Sequence, residues 1–331
     1  MKQTAIIILN WNGEKLLPEF LPKVIARTDN SMADIIVADN GSTDSSLTLL
    51  REQFPAVKVM GFTENYGFAE GYNRAIAGAG DYRYVVLLNS DVAPADGWNR
   101  ILEQFMDTHR DVAAVQPKIL SYSSPDKFEY AGASGGFIDR HGYPYCRGRI
   151  FDIVETDRGQ YDSPVEIFWA SGAALMVRRD LYIKAGGLDA GFFAHMEEID
   201  LCWRLQLLGY KIMAVPSATV YHLGGGSLDY GNPRKTYLNF RNNLLMMHKN
   251  LPVKVRRRKL FVRRLMDTLA WVKFMVALNF KSANAILRAH RDYARMSGNY
   301  NTDPTVDLLQ KQTTDIVSQR FLHGKKYFSE L

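Results

Sequence analysis

The acids Asp39, Asp91, Glu197, Glu198 and Asp200 and the imidazole of His222 stand where an apolar run gives way to polar residues or where a helix begins. Asp91 lies in the stretch YVVLLNSDVAP at 84–94, in which five apolar residues end abruptly in Asn89, Ser90 and Asp91. An acid there suits a divalent cation held against phosphate oxygens, because hard cations take oxygen ligands and share their shell with phosphates. The same residue would also serve as a turn cap before Pro94. Glu197, Glu198 and Asp200 gather at a helix start, where the dipole alone accounts for acids. His222 leaves a strand into Gly224, Gly225, Gly226 and Ser227, a setting in which a histidine is more often structural than a ligand. Catalytic constellations are nevertheless assembled from such element ends.

The elements that must position these groups are legible in turn. Residues 5–9 (AIIIL) form a short apolar run that enters the polar loop Asn10, Trp11, Asn12, Gly13, as a first buried strand would. Apolar residues at helical spacing predict a helix over 15–27, and residues 35–38 a second strand ending in Asp39 and the turn DNGSTD, which caps a helix over 45–54. A third strand at 57–62, a helix at 70–77 and a fourth strand at 84–89 complete an alternation that argues for a parallel sheet wound by right-handed crossovers. Acids at the carboxyl edge of such a sheet face its ligand crevice.

Beyond this, a helix is expected over 98–109 and a strand over 113–120. Residues 121–167, rich in Gly, Tyr, Asp and Arg, lack periodicity and read as an acceptor-side loop region or a solvated irregular segment. An apolar run at 167–177, a short helix at 180–185, the acid-headed helix and a closing strand at 211–222 follow. No glycine-rich phosphate loop follows any strand, which disfavours P-loop enzymes and dinucleotide oxidoreductases.

A chain of 331 residues, 47% hydrophobic and 23% charged, is long enough for one large domain with an appendage. Cys146 and Cys202 lie far apart without metal-ligand spacing, as expected of packing residues in a reducing compartment. The apolar run near Met1 is too short for a signal peptide, so a cytoplasmic location is expected. The net charge of +6 is local: residues 254–295 carry twelve Lys or Arg and two Asp.

Five motifs occur in one order: ILNWNG, VADNGSTD, ENYGFAEGYNRA, LLNSD, and FFAHMEEIDLCWRLQLLGY with YHLGGGS downstream. In this the chain resembles the family 2 glycosyltransferases of the GT-A fold, and among them the rhamnosyltransferase-like enzymes that build bacterial surface polysaccharides. The resemblance covers roughly residues 4–250. It implies an α/β fold with a mostly parallel, Rossmann-like sheet flanked by helices, a catalytic domain over 1–250, and a basic, mainly helical extension over 251–331. It implies an inverting transfer of a sugar from a nucleotide-diphosphate donor to a saccharide or polyprenyl-linked saccharide, assisted by Mg2+ or Mn2+.

By the same resemblance Asn10, Asn12, Asn65, Gly67 and Asn73 belong to the donor site, and Asp39 bonds the base or ribose. Asp91 matches the metal-binding acid of the family's D-x-D signature and His222 a histidine that completes the metal site in some members. Asn89 departs from that signature by replacing its first acid with an amide, as is common in the rhamnosyltransferase-like subgroup. Glu198 matches the second acid of the E-D pair, the expected catalytic base; Glu stands where Asp is usual, so Glu197 and Asp200 remain alternative bases. Arg204 is placed to bond the acids or a phosphate, Trp203 reads as core or as a sugar-stacking platform, and Trp169, Ser171 and Gly172 would line the acceptor side. Donors carrying dTDP, UDP or GDP are all compatible with one Asp at the base pocket, and dTDP-rhamnose follows only from the subgroup.

The basic tail fits an interfacial helix on the anionic inner face of the plasma membrane, with Trp271, Phe274 and Phe280 on its apolar side. It equally fits a helix packed on the catalytic domain or on a second subunit of a homodimer, whereas nothing upstream supports nucleic-acid binding. The competing functions are a sugar nucleotidyltransferase, for which WNGEKLL would be a poor glycine-rich loop, and a weakly catalytic nucleotide-sugar-binding scaffold.

Overall fold

In a computed structural model of the chain, which describes residues 2–224 and 232–331, strands and helices alternate from the start. The N-terminal half runs β1 (Thr4–Asn10), α1 (Leu17–Arg27), β2 (Ala33–Asp39), α2 (Ser46–Gln53), β3 (Lys58–Gly61), α3 (Gly67–Gly78) and β4 (Tyr84–Asn89). Then come β5 (Val92–Pro94), α4 (Trp98–Thr108) and β6 (Val112–Ser121). β4, β1, β2 and β3 are adjacent and parallel, and the register sets Asn10 beside Asp39 and Leu9 beside Asn89. The strands are apolar without alternation because both faces are covered. Ile6 and Ile8 pack in the core under α1 and α4, while Ala5 and Ile7 pack in the core that includes Tyr72 and Ile76 of α3.

The expected loop region contains a small antiparallel sheet, β7 (Gly136–Ile138), β8 (Pro144–Cys146), β9 (Arg149–Ile150) and β10 (Ile153–Val154). Strands of two or three residues are too short to show a period, which is why the sequence looks irregular there. β11 (Val165–Ile167) and β12 (Ala174–Arg178) split the apolar run at 167–177 into two strands separated by Ser171 and Gly172. α5 (Arg179–Lys184), α6 (Glu197–Leu207) and β13 (Lys211–His222) follow. The main sheet, nine-stranded among the described residues, has the order β11-β13-β6-β12-β4-β1-β2-β3, with β5 on β13. β12 runs antiparallel between β4 and β6, so the sheet is parallel in its N-terminal half and mixed beyond it.

The remaining helices are α7 (Pro233–Asn250), α8 (Val253–Val276), α9 (Phe280–Met296) and α10 (Ile316–Phe321). α7 begins with Pro233 at its first turn and Asn232 as its cap, the side chain accepting from the Arg234 amide at 2.8 Å. The apolar stretch at 268–280 crosses the turn between α8 and α9, where Leu278 is left-handed and Asn279 caps α9, so Phe280 does not continue the face of Trp271 and Phe274. No helix among the described residues is long and apolar enough to cross a membrane.

Candidate active site

β1, β2 and β4 end at one carboxyl edge, and this brings Asn10, Asp39 and Asn89 together. Asn10 Nδ2 donates to Asp39 Oδ2 at 2.9 Å, and the Ser42 amide donates to Asp39 Oδ1 at 3.0 Å. Asp39 is fully buried beneath these contacts. Asn12, left-handed at φ 50°, accepts from the Thr43 amide at 2.8 Å and ties the β1 loop to the DNGSTD turn. Asn65 accepts from the Gly67 amide at 2.8 Å and from Asn40 Nδ2 at 3.1 Å, which fixes the start of α3. Gly67 has φ +77°, and a Cβ there would lie 2.7 Å from the Phe193 ring, so glycine is required twice over. Asn73 does not join this group. Its Oδ1 accepts from Tyr182 Oη at 2.6 Å and its Nδ2 donates to the Leu188 carbonyl at 2.8 Å, making it a brace between α3 and the turn after α5.

A second group forms where β4 and β13 end. His222 Nε2 lies 3.1 Å from Asp91 Oδ1 and 3.3 Å from Asn89 Nδ2, and its Nδ1 lies 3.4 Å from Glu129 Oε2. Burial opposes charge on His222, but Asp91 and Glu129 outweigh it and hold the imidazole up to about 10. Burial likewise opposes charge on Asp91, and His222 reverses it, so that carboxyl sits below its usual range. Among the described residues no three His, Cys, Asp or Glu side chains form a ready metal cluster. Asp91 offers an oxygen ligand to a hard dication whose shell phosphate oxygens and water would complete, and His222 would join it on giving up its proton to the incoming charge, with Glu129 placed to orient the imidazole from behind. Glu129 had no signal in the sequence, because it sits in the aperiodic segment and is placed beside β6 by the backbone bond of its amide to the Ile119 carbonyl at 3.0 Å. Gly225, Gly226 and Ser227 lie outside the described residues.

The third group is presented by the loop before α6. Phe193, His195 and Met196 are all left-handed, at φ 65°, 69° and 74°, a conformation that costs non-glycine residues about 1–3 kcal/mol each. Glu197 and Glu198 follow at once. Burial, then the neighbouring Glu198 charge, pushes Glu197 well above the ordinary carboxylate range, and burial pushes Glu198 up to about 7. Glu197 is 4% exposed, whereas Glu198 is partly open and its Cβ lies 3.9 Å from where a Cβ on Gly172 would stand. Oε2 of each acid is shielded and unpartnered. Asp200 is turned the other way. Fully buried, it accepts from Arg204 Nε at 2.9 Å, Lys249 Nζ at 3.0 Å and Asn250 Nδ2 at 2.7 Å. Burial opposes its charge, and the two cations hold it ionised below its usual range.

Arg204 bonds Asp200, one of the acids, and also donates to the Ala185 and Gly187 carbonyls. Trp203 is fully buried edge-on to Phe168, ring centroids 5.2 Å apart, which settles its core reading over a sugar platform. Trp169 is buried against Gly136 of the small sheet and donates to the Phe137 carbonyl at 2.8 Å. Ser171 donates to the Ala131 carbonyl, leaving Gly172 as the member of that trio beside Glu198.

Residues 5–184 match the family model for glycosyl transferase family 2. A Mycobacterium tuberculosis N-acetylglucosaminyl-diphospho-decaprenol L-rhamnosyltransferase is 27% identical over 234 residues, covering 66% of this chain and 75% of that protein. Escherichia coli rhamnosyltransferase WbbL is 24% identical over 231 residues, covering 66% of this chain and 82% of its own. Among solved structures, Staphylococcus aureus TarS 1-349 in complex with UDP-GlcNAc matches 90% of this chain and 81% of its own at TM-score 0.58 and 14% identity. GalNAc-T7, crystallised with UDP, GalNAc and Mn2+, matches at TM-score 0.58 and 16% identity over 75% of this chain, which spans 48% of that longer protein. At such identities the solved structures speak for the GT-A fold alone. The chain belongs to glycosyl transferase family 2, as a rhamnosyltransferase-like glycosyltransferase of the GT-A fold.

Proposed function

We propose that this glycosyltransferase transfers a sugar, rhamnose from a dTDP donor, with inversion to a saccharide carried on a polyprenyl diphosphate. The observation that supports the chemistry is the separation of roles: Asp91 and His222 close the β4–β13 edge, while Glu198, partly open and held up to about 7, stands on α6 beside Gly172. In this reading Glu198 takes the proton of the acceptor hydroxyl as that oxygen bonds to the anomeric carbon. The bond from that carbon to the donor diphosphate breaks on the opposite face, and the diphosphate leaves with the electron pair. A dication held by Asp91 and His222 would neutralise the charge gathering on the departing diphosphate. Asn10, Asn12 and Asn65 frame the donor pocket above Asp39. The donor sugar and the lipid-linked acceptor are drawn from the rhamnosyltransferase relatives.

The acceptor's lipid calls for a membrane, and α8 has a face for one. Phe261, Leu265, Leu269 and Val276 are 60–78% exposed at helical spacing, with exposed Arg257, Arg258, Arg264 and Lys273 on the same helix. Each such cation near anionic lipid adds about 1 kcal/mol. The function is tested by melting the protein with dTDP, UDP and GDP, each with and without Mn2+, then by NMR of the product formed from dTDP-rhamnose. The greatest stabilisation by dTDP with Mn2+, and an anomeric configuration opposite to the donor's, are expected. A product that keeps the donor's configuration would sink the mechanism.

A further inference from the structure

The loop that delivers Glu197 and Glu198 holds its left-handed residues without glycine, so something outside it must fix that shape. The fixture comes from α7, beyond the residues matched by the family model. Asn242, fully buried, directs Nδ2 at the carbonyls of Phe192 (3.0 Å), Ala194 (2.8 Å) and His195 (2.7 Å). Arg241 beside it donates to Asn242 Oδ1 at 2.8 Å and to the carbonyls of Gly191 (3.1 Å) and Phe192 (3.0 Å). On its other side the loop is bound to the donor segment, since the Phe68 amide donates to the Phe193 carbonyl at 2.9 Å. The left-handed residues turn the Phe192, Ala194 and His195 carbonyls toward α7 and the Phe193 carbonyl away from it, and buried carbonyls demand partners.

We infer that Asn242, seconded by Arg241, is a positioning residue for sugar transfer: its amide holds the strained 191–196 backbone in the one shape that sets Glu198 against the acceptor side of the cleft. This rests on the proposal that Glu198 is the base. Asn243, the next residue, supplies the comparison. It is as deeply buried on the same helix, yet it bonds the Gly142 carbonyl at 2.7 Å and Arg263, away from the acids.

The test uses the full chain with dTDP-rhamnose and a GlcNAc-diphosphoryl-lipid acceptor, well below the melting point of every variant. Asn242→Asp keeps the size of the side chain and removes its donor. Its kcat is expected to fall about 100-fold, the effect of roughly 1 Å of misplacement, with the donor KM within about threefold of the parent. Asn243→Ala is expected to lower the melting temperature but to keep kcat within about threefold. Should Asn242→Asp not fold, Asn242→Ser, with one donor on a shorter arm, takes its place and an intermediate fall of about tenfold is expected. A kcat near the parent's in the Asn242 variant, or an equal loss in Asn243→Ala, overturns the clamp. Glu198→Gln measured alongside separates the failures: unimpaired transfer there overturns the base instead.

Discussion

Glu198 and Asp200 sit two residues apart on α6 and have opposite surroundings. Asp200 is saturated by Arg204, Lys249 and Asn250, whereas Glu198 is partly exposed and keeps an unpartnered oxygen. A carboxylate raised by burial is a stronger base, and it works only when deprotonated. With Glu198 up to about 7, kcat/KM should fall toward tenfold per pH unit below that value and level off above it. A pH–rate profile with its acid limb near an ordinary carboxylate would contradict the assignment. Glu198→Gln should lower kcat by about 10²–10⁴ with little change in donor affinity, read by turnover and by dTDP titration. The three acids were visible in the sequence as a cluster, but not which one is paired away, because that depends on Lys249 and Asn250 arriving from another helix. Asp91 and His222 were legible as strand ends. Glu129 was not, and neither was the confinement of Asn73, whose partners Tyr182 and Leu188 lie far along the chain.

At the scale of elements, periodicity located the parallel strands and their helices to within a few residues, since each needs two apolar faces or one stripe. It missed β7 to β10, whose pairing is carried by backbone bonds and not by side-chain pattern. The start of α3 shows what glycine alone can do: Gly67 combines a left-handed backbone with the pressure of the Phe193 ring. Gly67→Ala should therefore cost about 1–3 kcal/mol in a denaturant titration, and a change under about 0.5 kcal/mol would show that the loop before α6 yields. The exposed apolar row on α8 makes a second expectation. Leu265→Asp with Leu269→Asp should abolish flotation with phosphatidylglycerol vesicles while leaving donor binding intact. Undiminished flotation would remove the membrane from the account of α8.

Across the whole molecule, the C-terminal helices are tied to the small sheet by a buried polar knot. Arg263 stacks 3.6 Å over the Tyr143 ring and pairs with Asp267 at 2.9 Å, and His290 of α9 reaches the same Asp267 at 3.1 Å. Removing one partner of a buried pair leaves the other charge uncompensated, so Asp267→Asn should cost about 3–5 kcal/mol. We propose that residues 1–250 and 251–331 melt together through this knot, so a calorimetric scan of that variant should show one transition at lower temperature. Two separated transitions would mean that the extension is a unit of its own. The antiparallel β12 bears on the chain as it is made. β4 ends at Asn89 and the strand that covers its edge begins only at Ala174. At synthesis rates of about 5–20 residues per second, the apolar edge YVVLL waits roughly 4 to 17 s on the ribosome for its neighbour. During that interval the nascent chain is a template for pairing with other strands, and yield of folded protein should depend on chaperone capacity more than the finished fold's stability would imply.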